Sequence, residues 1–571
     1  MKPSIEGLER QRGASLLAVI FLIVAVAFFG TIVVSLVATQ SFTSVNEMQS
    51  TQALYVAEAG LERAISYLLG PTLAGRTTCA GLPGAATSLN PGQFQLNIEA
   101  GSPFYSTTAT TIPAGGVTSV ATTIPVVSTA NYAPFGRIMI DRELIDYTGT
   151  TAISFTGALR GRDGTLAASH AAGTRVGHSQ CTVTSTGGVT DLTTAARGRR
   201  VQRAGIQTQE AWAVGDNGTI LRWNGVTWVS FAITGTPLRG VSMDSYANGW
   251  TVGDLWPQPG PDRSQIRRWN PDGTPAWDPL ISPTVPAQAT VQLNAVFAIS
   301  HNEAWAVGND IGGGTDSLIL RWNGIAGNWA FTDPAGNIDL NLNSLYMLDN
   351  NNDGSADDGW AAGNRRGCGN PGPTILRWNG VNWGCPGGVI LPNDGTGDQH
   401  LRGISMVSGA EGWAVGDRRG CGNPGPTFLR YAAGVWRCPA GGVIPAAVTI
   451  EADRDLFGVF LLSANDGWAV GETGGGGGGT CPTNRARILR WDGVTWNCDP
   501  SSPINQDLRA VACATTNDCW AVGDAGSIVH WDGNAWTVHP QSGVVTNQDL
   551  RSVHIIGPRG RPQAVWREVV S

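Results

Sequence analysis

A short sequence, Trp-Ala-Val-Gly-Asp, returns along the chain after residue 204 and constrains the fold more than any other feature. Exact or degenerate copies begin at Trp212, Trp250, Trp305, Trp360, Trp413, Trp468 and Trp520. Each copy is followed by a segment similar to Ile-Leu-Arg-Trp-Asn-Gly, and most are preceded by Leu-Arg-x-Val. A period of about 40–55 residues built from short alternating runs indicates stacked β-sheet repeats, the blades of a propeller.

Each repeat predicts four antiparallel strands. Leu-Arg-x-Val is strand A, Trp-Ala-Val-Gly is strand B, Ile-Leu-Arg-Trp is strand C, and the segment around the last tryptophan is strand D. Asn-Gly or Asp-Gly between C and D supplies the left-handed residues of a tight hairpin turn. One such sheet cannot bury both of its faces, whereas seven around an axis can, with the repeated tryptophans between them. We therefore predict a seven-bladed propeller over residues 205–571, with core tryptophans rather than ligand-stacking ones.

The two ends of the repeat region complement each other. The copy at Trp212 lacks a good strand A ahead of it, and the A-like segment Leu550–Ile556 has no full blade behind it. Pairing the C-terminal strand with the first blade leaves no open sheet edge. The sequence therefore predicts that the last strand completes the first blade.

The composition narrows the function class. The 571 residues carry a formal net charge of −7, and only 14% of them are charged, whereas glycine (77) and proline (32) are abundant. A modestly acidic chain lacks the basic footprint of a nucleic-acid-binding protein. We expect a turn-rich β protein with no nucleic-acid partner.

The ten cysteines fall into pairs. Three pairs recur at one spacing in consecutive repeats, from the B–C loop to the end of strand D, at points that lie at the same end of an up-and-down blade. The sequence predicts the disulfides Cys79–Cys181, Cys368–Cys385, Cys421–Cys438, Cys481–Cys498 and Cys513–Cys519. Such pairing implies an oxidising compartment, and a zinc site is disfavoured because no histidines cluster with the cysteines.

The N-terminus predicts a single long helix. Residues 1–13 form a short polar leader, and the apolar run Ala14–Ala38 that follows is 25 residues long, about 37 Å as a helix and enough to span a bilayer. A secretory signal peptide is the alternative, but its apolar core would be shorter and would end in an Ala-x-Ala-like site. The helical pattern continues instead through Gln49–Leu69.

A family resemblance appears in these residues. Gln11-Arg12-Gly13, the apolar helix after it and Ala57-Glu58-Ala59-Gly60-Leu61-Glu62 resemble the N-terminus of type IV pilin-like proteins, closest to the minor pilins of the PilX and MshP group. The resemblance implies cleavage by prepilin peptidase between Gly13 and Ala14. It also implies that helix 14–70 anchors a precursor in the inner membrane and later packs against other pilins and minor pilins in an extracellular filament. Cys181–Arg203 weakly resembles the closing strands of such proteins.

One residue departs from the pilin pattern. Major pilins carry Glu at the fifth mature position, which pairs with the N-terminal amine of a neighbouring subunit, and Ala18 stands there in this chain. A buried charge left without its partner is costly in a filament core. This favours a place at the filament tip, although the alternative is that the group lacks this Glu anywhere along the filament.

Residues 71–204 are predicted to form a pilin-like β head. Within them, a segment at about 118–176 resembles a small β module known from phage tail and fibre proteins, and the pilin-like sequences on either side indicate an insertion. Asp141, Glu143 and Asp146 alternate with apolar residues and invite an acid–base interpretation. We instead expect these acids, with Arg142, to form the solvated face of a hairpin.

One loop has the layout of a calcium site. Asp349, Asn351, Asp353 and Asp357 place oxygen ligands at the first, third, fifth and ninth positions, Gly354 makes the turn at the sixth, and the carbonyl of Ser355 adds a ligand. Neither a flanking helix pair nor a Glu at the twelfth position is present, so the loop is similar to the calcium hairpins of integrin-type propellers rather than to an EF-hand. The alternative is a solvated acidic loop. Calcium is the one cofactor that we predict.

The remaining motifs indicate binding rather than catalysis. The B–C loops Asn364–Pro373 and Asp417–Pro426 carry paired arginines that suit carboxylates, sulfates or acidic sugars, although a solvated loop is the simpler interpretation. The Asp/Asn-Gly-x-x-Trp turns resemble the structural Asp-box hairpins of sialidases, and the repeats resemble those of photosystem assembly-factor propellers. A sialidase site cannot be assembled from these residues, because tyrosines are few and lie mainly outside the repeats.

Together these observations predict a mainly β chain with one long N-terminal α-helix, a pilin-like stalk domain, a small inserted β module and a seven-bladed propeller. We expect a non-enzymatic minor subunit of a type IV pilus-like filament that binds an unknown surface ligand, a glycan or a protein. One alternative is a factor that primes filament assembly through protein contacts of the propeller. A second alternative is a filament-borne glycosidase.

Overall fold

The computed structural model describes residues 8–69, 81–98, 110–162, 167–178, 181–189, 192, 199–206, 209–556 and 567–569. Short gaps interrupt these ranges at 131, 133, 142, 232–234, 246–247, 255–265, 270–276, 278–290, 311–317, 325–326, 333–340, 352, 366–372, 387–399, 419–420, 422–424, 440, 446–454 and 475–480.

The chain begins with one long helix, α1, which spans Leu8–Leu69. From Val19 to Met48 most of its apolar side chains are exposed. Farther along, Ala53, Ala57 and Ala64 are fully buried, at a spacing that places them on one face of the helix. The helix therefore has an uncovered apolar half and an amphipathic half that packs on the head.

Eleven strands lie between α1 and the first repeat in the described residues. They are β1 Thr87–Leu89, β2 Gly92–Ile98, β3 Thr110–Thr111, β4 Thr123–Pro125, β5 Gly136–Ile140, β6 Glu143–Tyr147, β7 Gly149–Thr151, β8 Ser154–Thr156, β9 Arg175–His178, β10 Cys181–Gly188 and β11 Arg199–Ile206.

The head sheet has the strand order β1-β2-β10-β11 and packs on the C-terminal half of α1. The helix comes very close to the sheet at Gly187, where an added Cβ would lie 2.4 Å from the backbone oxygen of Ala53. The final strand of the chain, which spans Arg567–Val569, pairs with β11 at the edge of this sheet. The prediction that the propeller extends to residue 571 is therefore wrong, because the C-terminal strand returns to the head.

A small β module lies between β2 and β10. It contains a four-stranded sheet, β3-β9-β5-β6, and a three-stranded sheet, β4-β8-β7. Its core includes Ile138, Ile145, Phe155 and Val176, which are fully buried. Since β2 and β10 pair directly with each other in the head sheet, the module is an insertion between two neighbouring head strands, as predicted.

The repeats form seven sheets within residues 209–556. Their strands are β12 Glu210–Gly215, β13 Ile220–Trp223, β14 Trp228–Ser230, β15 Leu238–Ser245, β16 Asn248–Gly253, β17 Ile266–Arg268, β18 Val291–Ser300, β19 Glu303–Asp310, β20 Leu318–Asn323, β21 Asn328–Phe331, β22 Leu342–Leu348, β23 Asp358–Arg365, β24 Pro373–Trp378, β25 Trp383–Gly384, β26 Leu401–Ser408, β27 Glu411–Arg418, β28 Pro426–Ala432, β29 Val435–Arg437, β30 Leu456–Ser463, β31 Asp466–Gly474, β32 Arg485–Trp491, β33 Trp496–Cys498, β34 Leu508–Thr515, β35 Asp518–Gly523, β36 Ser527–Trp531, β37 Trp536–Val538 and β38 Leu550–Ile556. The strand Arg567–Val569 is β39.

These sheets are blades of a closed ring. Blade 1 has the order β14-β13-β12-β38, so the last repeat strand completes the first blade as predicted. Blades 2 to 7 begin with the A strands β15, β18, β22, β26, β30 and β34, and blade 2 adds its fourth segment through a bridge between Trp269 and Trp277. Each A strand contacts the A strands of the two neighbouring blades, and β38 contacts both β34 and β15. Seven A strands thus surround a central axis.

The tryptophans fill the seams between blades, as predicted. Trp212 of blade 1 lies 4.5 Å from Trp269 and 5.4 Å from Trp277 of blade 2, measured between ring centroids. Arg222 of strand C lies over both Trp212 and Trp269, and its guanidinium is paired with buried Glu210 of strand B. The same arrangement recurs around the ring, for example where Arg490 lies over Trp468 and Trp531.

A close backbone contact explains why the Trp-Ala-Val-Gly motif ends in glycine. A Cβ at Gly523 would lie 1.9 Å from the backbone oxygen of Asp507, the residue before strand A. The equivalent Gly215 and Gly416 show the same close approach, each at 1.9–2.0 Å from the oxygen ahead of its A strand. Only glycine permits this contact. The end of strand B therefore lies directly against the start of strand A in each of these blades.

Three predicted disulfides lie in described residues. Cys421–Cys438 and Cys481–Cys498 each join a B–C loop to the end of strand D, and Cys513–Cys519 crosses from strand A to strand B of blade 7. Cys181 and Cys385 are also disulfide-bonded, while their predicted partners, Cys79 and Cys368, lie outside the described residues.

Candidate functional site

The two ends of the propeller differ in what surrounds them. The chain leaves the head at the end of β11, enters the ring at the start of β12 and leaves it at the end of β38. In this topology A strands finish, and B strands begin, at one end, which we call the stalk-side end. The B–C loops and the D–A connections lie at the opposite, distal end. The distal end therefore lies opposite the two points at which the chain enters and leaves the ring.

The distal mouth of the ring is lined by the second residue of strand A and by the residue after Trp-Ala-Val-Gly. In four blades these are an arginine and an aspartate, joined by two hydrogen bonds. The pairs are Arg551–Asp216, Arg239–Asp254, Arg402–Asp417 and Arg509–Asp524. Each guanidinium fork matches a carboxylate bidentately. These arginines are thereby neutralised and do not form an open anion site.

Blades 3 and 4 carry amides instead: Asn294 and Asn343 stand at the arginine position, and Asn309 and Asn364 stand at the aspartate position. Gln292 and Asn341 lie one residue before the leucine of each strand A, and we call all six residues, which are half-buried, the amide sector. The Nδ2 group of Asn294 donates to Asn309 Oδ1 at 3.2 Å and to the backbone oxygen of Leu342 at 2.8 Å. Asn343 repeats the pattern one blade on, toward Asn364 Oδ1 and the backbone oxygen of Leu401, both at 2.8 Å. The amides are held in a fixed orientation across two blades.

The channel wall changes character with depth. Below the amide sector, Phe297 and Tyr346 lie side by side on strands β18 and β22 with ring centroids 5.0 Å apart. At the stalk-side end, Ile299, Leu348 and Ile556 are partly buried and aliphatic, whereas Asp244 stands at the corresponding position of blade 2. Met139 and Leu144 of the β module, both buried, pack against Ile556. The module thus contacts the stalk-side end, and the polar mouth faces the other way.

The predicted arginine loops lie at this distal end. Strands β23 and β27, which lead into them, finish at Arg365 and Arg418. Most of the two loops lies outside the described residues, but Cys421 ties the second loop to Cys438. Their interpretation as anion-binding loops stays a prediction.

The predicted calcium loop lies at the stalk-side end, between β22 and β23. Asp349 accepts the backbone N–H groups of Asp353 and Gly354 at 3.1 and 2.8 Å, and Asp357 accepts that of Asn351 at 3.2 Å. Gly354 has a φ of +83°, as the predicted turn requires. Carboxylate oxygens keep a second lone pair when they accept an N–H bond.

Within the described part of the chain, no group of three or more His, Cys, Asp or Glu side chains is placed to hold one metal ion. Side chains of the predicted calcium loop bond to one another instead: Asn351 Nδ2 donates to Asp353 Oδ2 at 3.1 Å and to Asp357 Oδ1 at 3.3 Å. Ser355 Oγ donates to Glu303 of blade 3 at 2.8 Å. The loop is thus fastened to its neighbouring blade, and calcium binding stays a prediction.

The prediction of a solvated acidic face is wrong for Glu143, whereas Asp141 is 54% exposed as predicted and Arg142 lies outside the described residues. The Glu143 side chain is 1% exposed and accepts two hydrogen bonds of 2.7 Å from Arg160. The two ring nitrogens of His170 form hydrogen bonds with these acids: Nε2 with Glu143 at 2.8 Å and Nδ1 with Asp141 at 2.7 Å. Asp146 pairs with Arg137. Residues Arg160 and His170, which follow other strands, cover the polar side of the hairpin at Glu143.

The surroundings of Glu143 shift two pKa values. Burial raises the pKa of Glu143, but hydrogen bonds from His170, Arg160 and two backbone N–H groups outweigh burial and lower the pKa from 4.5 to about 2. Burial lowers the pKa of His170, but the hydrogen bonds and charges of Asp141 and Glu143 prevail and raise it above 6.5. The group is a buried ionic anchor for the loop from Arg160 to His170.

The amide sector is visible in the sequence as a paired exchange of residues, which the repeat motifs alone do not predict. Repeats with Leu-Arg in strand A carry Gly-Asp at the end of strand B, as at Arg402 and Asp417. In blade 4, Asn343 accompanies Asn364 at the same two positions, and Asn294 accompanies Asn309 in blade 3. Arginine and aspartate thus exchange together for two asparagines, which indicates side-chain contact across the two strands.

The chain matches no protein-family model and no curated protein. Among solved structures it is similar to a YCF48 protein bound to a D1 peptide (15% identity, 60% of this chain and 87% of that chain, TM-score 0.38). It is also similar to YCF48 from Cyanidioschyzon merolae (15% identity, 59% and 92%, TM-score 0.37). A protein from Lactobacillus plantarum matches at 12% identity over 61% of this chain and 99% of its own, with a TM-score of 0.39.

Proposed function

We propose that the chain is a minor subunit of a type IV pilus-like filament that displays its propeller to bind a ligand on a surface. The observation that carries the proposal is the order of parts along the molecule. An apolar helix precedes a head sheet, and in the described residues the β module packs against Ile556 at the stalk-side end of the propeller. A binding role, rather than catalysis, suits a mouth lined by paired charges and fixed amides.

The helix supports the filament part of the proposal. The stretch Ala18–Leu68 contains a window of mean hydropathy 2.9 that is 0% buried, long and apolar enough to cross a membrane. An apolar surface of this length is stable only when lipid or other helices cover it. In the proposed precursor, the lipid of the inner membrane covers this surface. In the assembled filament, the helices of other pilins cover it. The disulfides of the propeller agree with a location outside the cytoplasm.

The position of the propeller supports the binding part. Strands β11 and β39 are adjacent in the head sheet, and the whole propeller is inserted between them in sequence. The ligand face would then be the distal mouth, which points away from the head. Ala18 stands where major pilins carry Glu, and this substitution favours a place at the filament tip. The tip position is part of the proposal.

A linker deletion tests this function. Residues 207–566 are replaced by a short Gly/Ser linker that joins β11 to β39, so the head sheet keeps all its strands. Filaments are then counted by electron microscopy, and attachment of the cells to surfaces is measured beside the full chain. Normal filaments with lost attachment are expected. Lost filaments would favour the assembly factor, and unchanged attachment would overturn the proposal.

A further inference from the structure

The amide sector stands out at the distal mouth because it is uncharged. The neighbouring blades 2 and 5 carry the ion pairs Arg239–Asp254 and Arg402–Asp417 at the same positions. Six amide side chains in two adjacent blades therefore form a neutral patch within a charged ring. A charged ligand would gain little there, since Asn and Gln offer only dipoles.

The hydrogen bonds of the sector leave defined groups for a ligand. Both N–H bonds of Asn294 are used by its own blade and the next, as are those of Asn343. Their Oδ1 atoms accept no hydrogen bond in the described part of the chain. Asn364 accepts from Asn343, and its Nδ2 group has no acceptor among the described residues. The sector thus presents one fixed acceptor on each blade and a donor on blade 4, since the corresponding Nδ2 group of Asn309 donates to Gln292 Oε1 at 3.2 Å.

Such groups are complementary to hydroxyls. A hydroxyl both donates and accepts, so it can satisfy an Oδ1 atom of one amide and the Nδ2 group of the next. The orientation is set before binding, which reduces the entropy lost when a ligand binds. Farther into the channel, the half-buried rings of Phe297 and Tyr346 offer apolar faces on the same two blades. Fixed amides beside aromatic faces suit a sugar ring, with its polar rim and apolar C–H face.

We infer that the amide sector binds an uncharged, hydroxyl-rich ligand, a neutral glycan. This inference rests on the proposed function, since it names the ligand class of the same distal mouth. Asn294 and Asn343 accept sugar hydroxyls, Asn364 donates to one, and Phe297 and Tyr346 contact the C–H face of the ring. The paired arginines of the neighbouring blades frame the site without supplying a free charge.

The test uses the full chain in detergent micelles on a printed array of neutral, sialylated and sulfated oligosaccharides. Binding to neutral oligosaccharides is expected. Asn364→Ala removes the free donor but leaves the bond from Asn343 to Leu401 that joins two blades. This variant is expected to bind the same oligosaccharide about five- to tenfold more weakly, the loss of one to two neutral hydrogen bonds. The control is Asn497→Ala, which removes an exposed amide on the outer strand β33 and should leave binding unchanged.

The outcomes separate this inference from the proposed function. Binding only to sialylated or sulfated probes, or equal binding by Asn364→Ala, would overturn the neutral-glycan site. So would binding of an extended peptide library with no glycan binding. If cells lose attachment on removal of the propeller while no glycan binds, the proposed function stands and this inference fails. If Asn364→Ala melts at a lower temperature than the unchanged chain, competition by free oligosaccharide against the unchanged chain replaces the variant, and the absence of competition by neutral sugars rejects the site.

Discussion

Arg551 donates two hydrogen bonds to the carboxylate of Asp216, at 2.9 and 2.7 Å, although 335 residues separate them in the sequence. Arg551 lies on β38, the last repeat strand, and Asp216 follows β12, the first. The other three Arg–Asp pairs of the distal mouth join residues only 15 positions apart. The same chemical pair therefore serves as a local contact in three blades and as the closure of the ring in the fourth.

Loss of this closure pair should loosen blade 1. Because both side chains are about 30% exposed, we expect Arg551→Ala to lower the free energy of unfolding by only about 1 kcal/mol. Hydrogen exchange in β12 and β38 should nevertheless accelerate, since those strands hold the two chain ends together. Arg239→Ala removes an equivalent pair within blade 2 and is the control. Equal exchange in blade 1 for both variants would show that the pair does not secure the closure.

The buried pair of Glu210 and Arg222 should matter more. Their side chains are 2% and 5% exposed, and removal of one partner leaves a buried charge without compensation. We expect Arg222→Met to cost about 3–5 kcal/mol of unfolding free energy in chemical denaturation. The double variant Glu210→Gln/Arg222→Met, which leaves no buried charge, should recover part of that loss. A double variant less stable than Arg222→Met would contradict this account.

The β module should be most stable in weakly acidic solution. The raised pKa of His170 gives stability that is complete below about 6.5 and is lost as pH rises through the folded pKa. The lowered pKa of Glu143 gives stability that is present above 4.5 and is lost as pH falls toward about 2. Arg160 and Asp141 are the other charged groups that face this pair.

Hydrogen exchange of the loop from Arg160 to His170, corrected for the intrinsic rate, measures this dependence. Protection should be greatest between about pH 4.5 and 6.5 and should fall on both sides. His170→Gln should abolish the fall on the alkaline side and leave the acidic one. If protection still falls above pH 6.5 in His170→Gln, a group other than His170 causes the loss of protection at alkaline pH.

Calcium should bind at Asp349–Asp357 and stabilise the seam between blades 3 and 4. The three carboxylates repel one another unless a cation neutralises them, and Ser355 transmits the ordering to Glu303 of blade 3. Calorimetry on the full chain in detergent should detect one site that Asp353→Ala weakens. Asp492→Asn, in the C–D turn of blade 6, is the matched control. The prediction fails if no binding occurs at millimolar calcium, or if Asp353→Ala binds equally well.

Chelation should act on stability rather than directly on the ligand face. The loop lies at the stalk-side end, whereas the amide sector lies at the distal end of the same ring. Ligands bound to the native state raise its stability by mass action. We therefore expect a chelator to lower the melting temperature while binding at the distal mouth persists well below that temperature.

The mature chain should begin at Ala14. A basic leader that ends in Gly13 directly precedes the apolar helix, and the resemblance to prepilins implies cleavage between them. N-terminal sequencing of filament-associated protein checks this expectation, and substitution of Gly13 should leave the precursor in the inner membrane. A mature start at Met1, or beyond Ala38, would contradict the pilin part of the proposal.

Much of the propeller could be predicted from local patterns. Alternating residues and two-residue turns determine which segments pair as neighbouring strands, so the position of strand A at Leu342–Leu348 and the core role of Trp413 followed from spacing alone. The pairing of Cys421 with Cys438 followed from the same argument, since both positions come to one end of an up-and-down blade.

The charge environment of Glu143 could not be predicted in this way. Its alternation with Leu144 is typical of a hairpin with one solvated face, but Arg160 and His170 reach it from a loop that follows other strands. The return of β39 to the head sheet was equally hidden, because three residues carry no pattern that selects a partner.

The sequence by itself determined the number of blades, their strand order and the closure of the ring, because these depend on periodicity and short turns. Only the tertiary structure decided which end of the propeller faces the stalk, how Asn294 and Asn343 align across two blades, and which carboxylates are buried. These features depend on contacts between residues that are far apart in the chain, and no local period encodes which distant side chain completes a polar group.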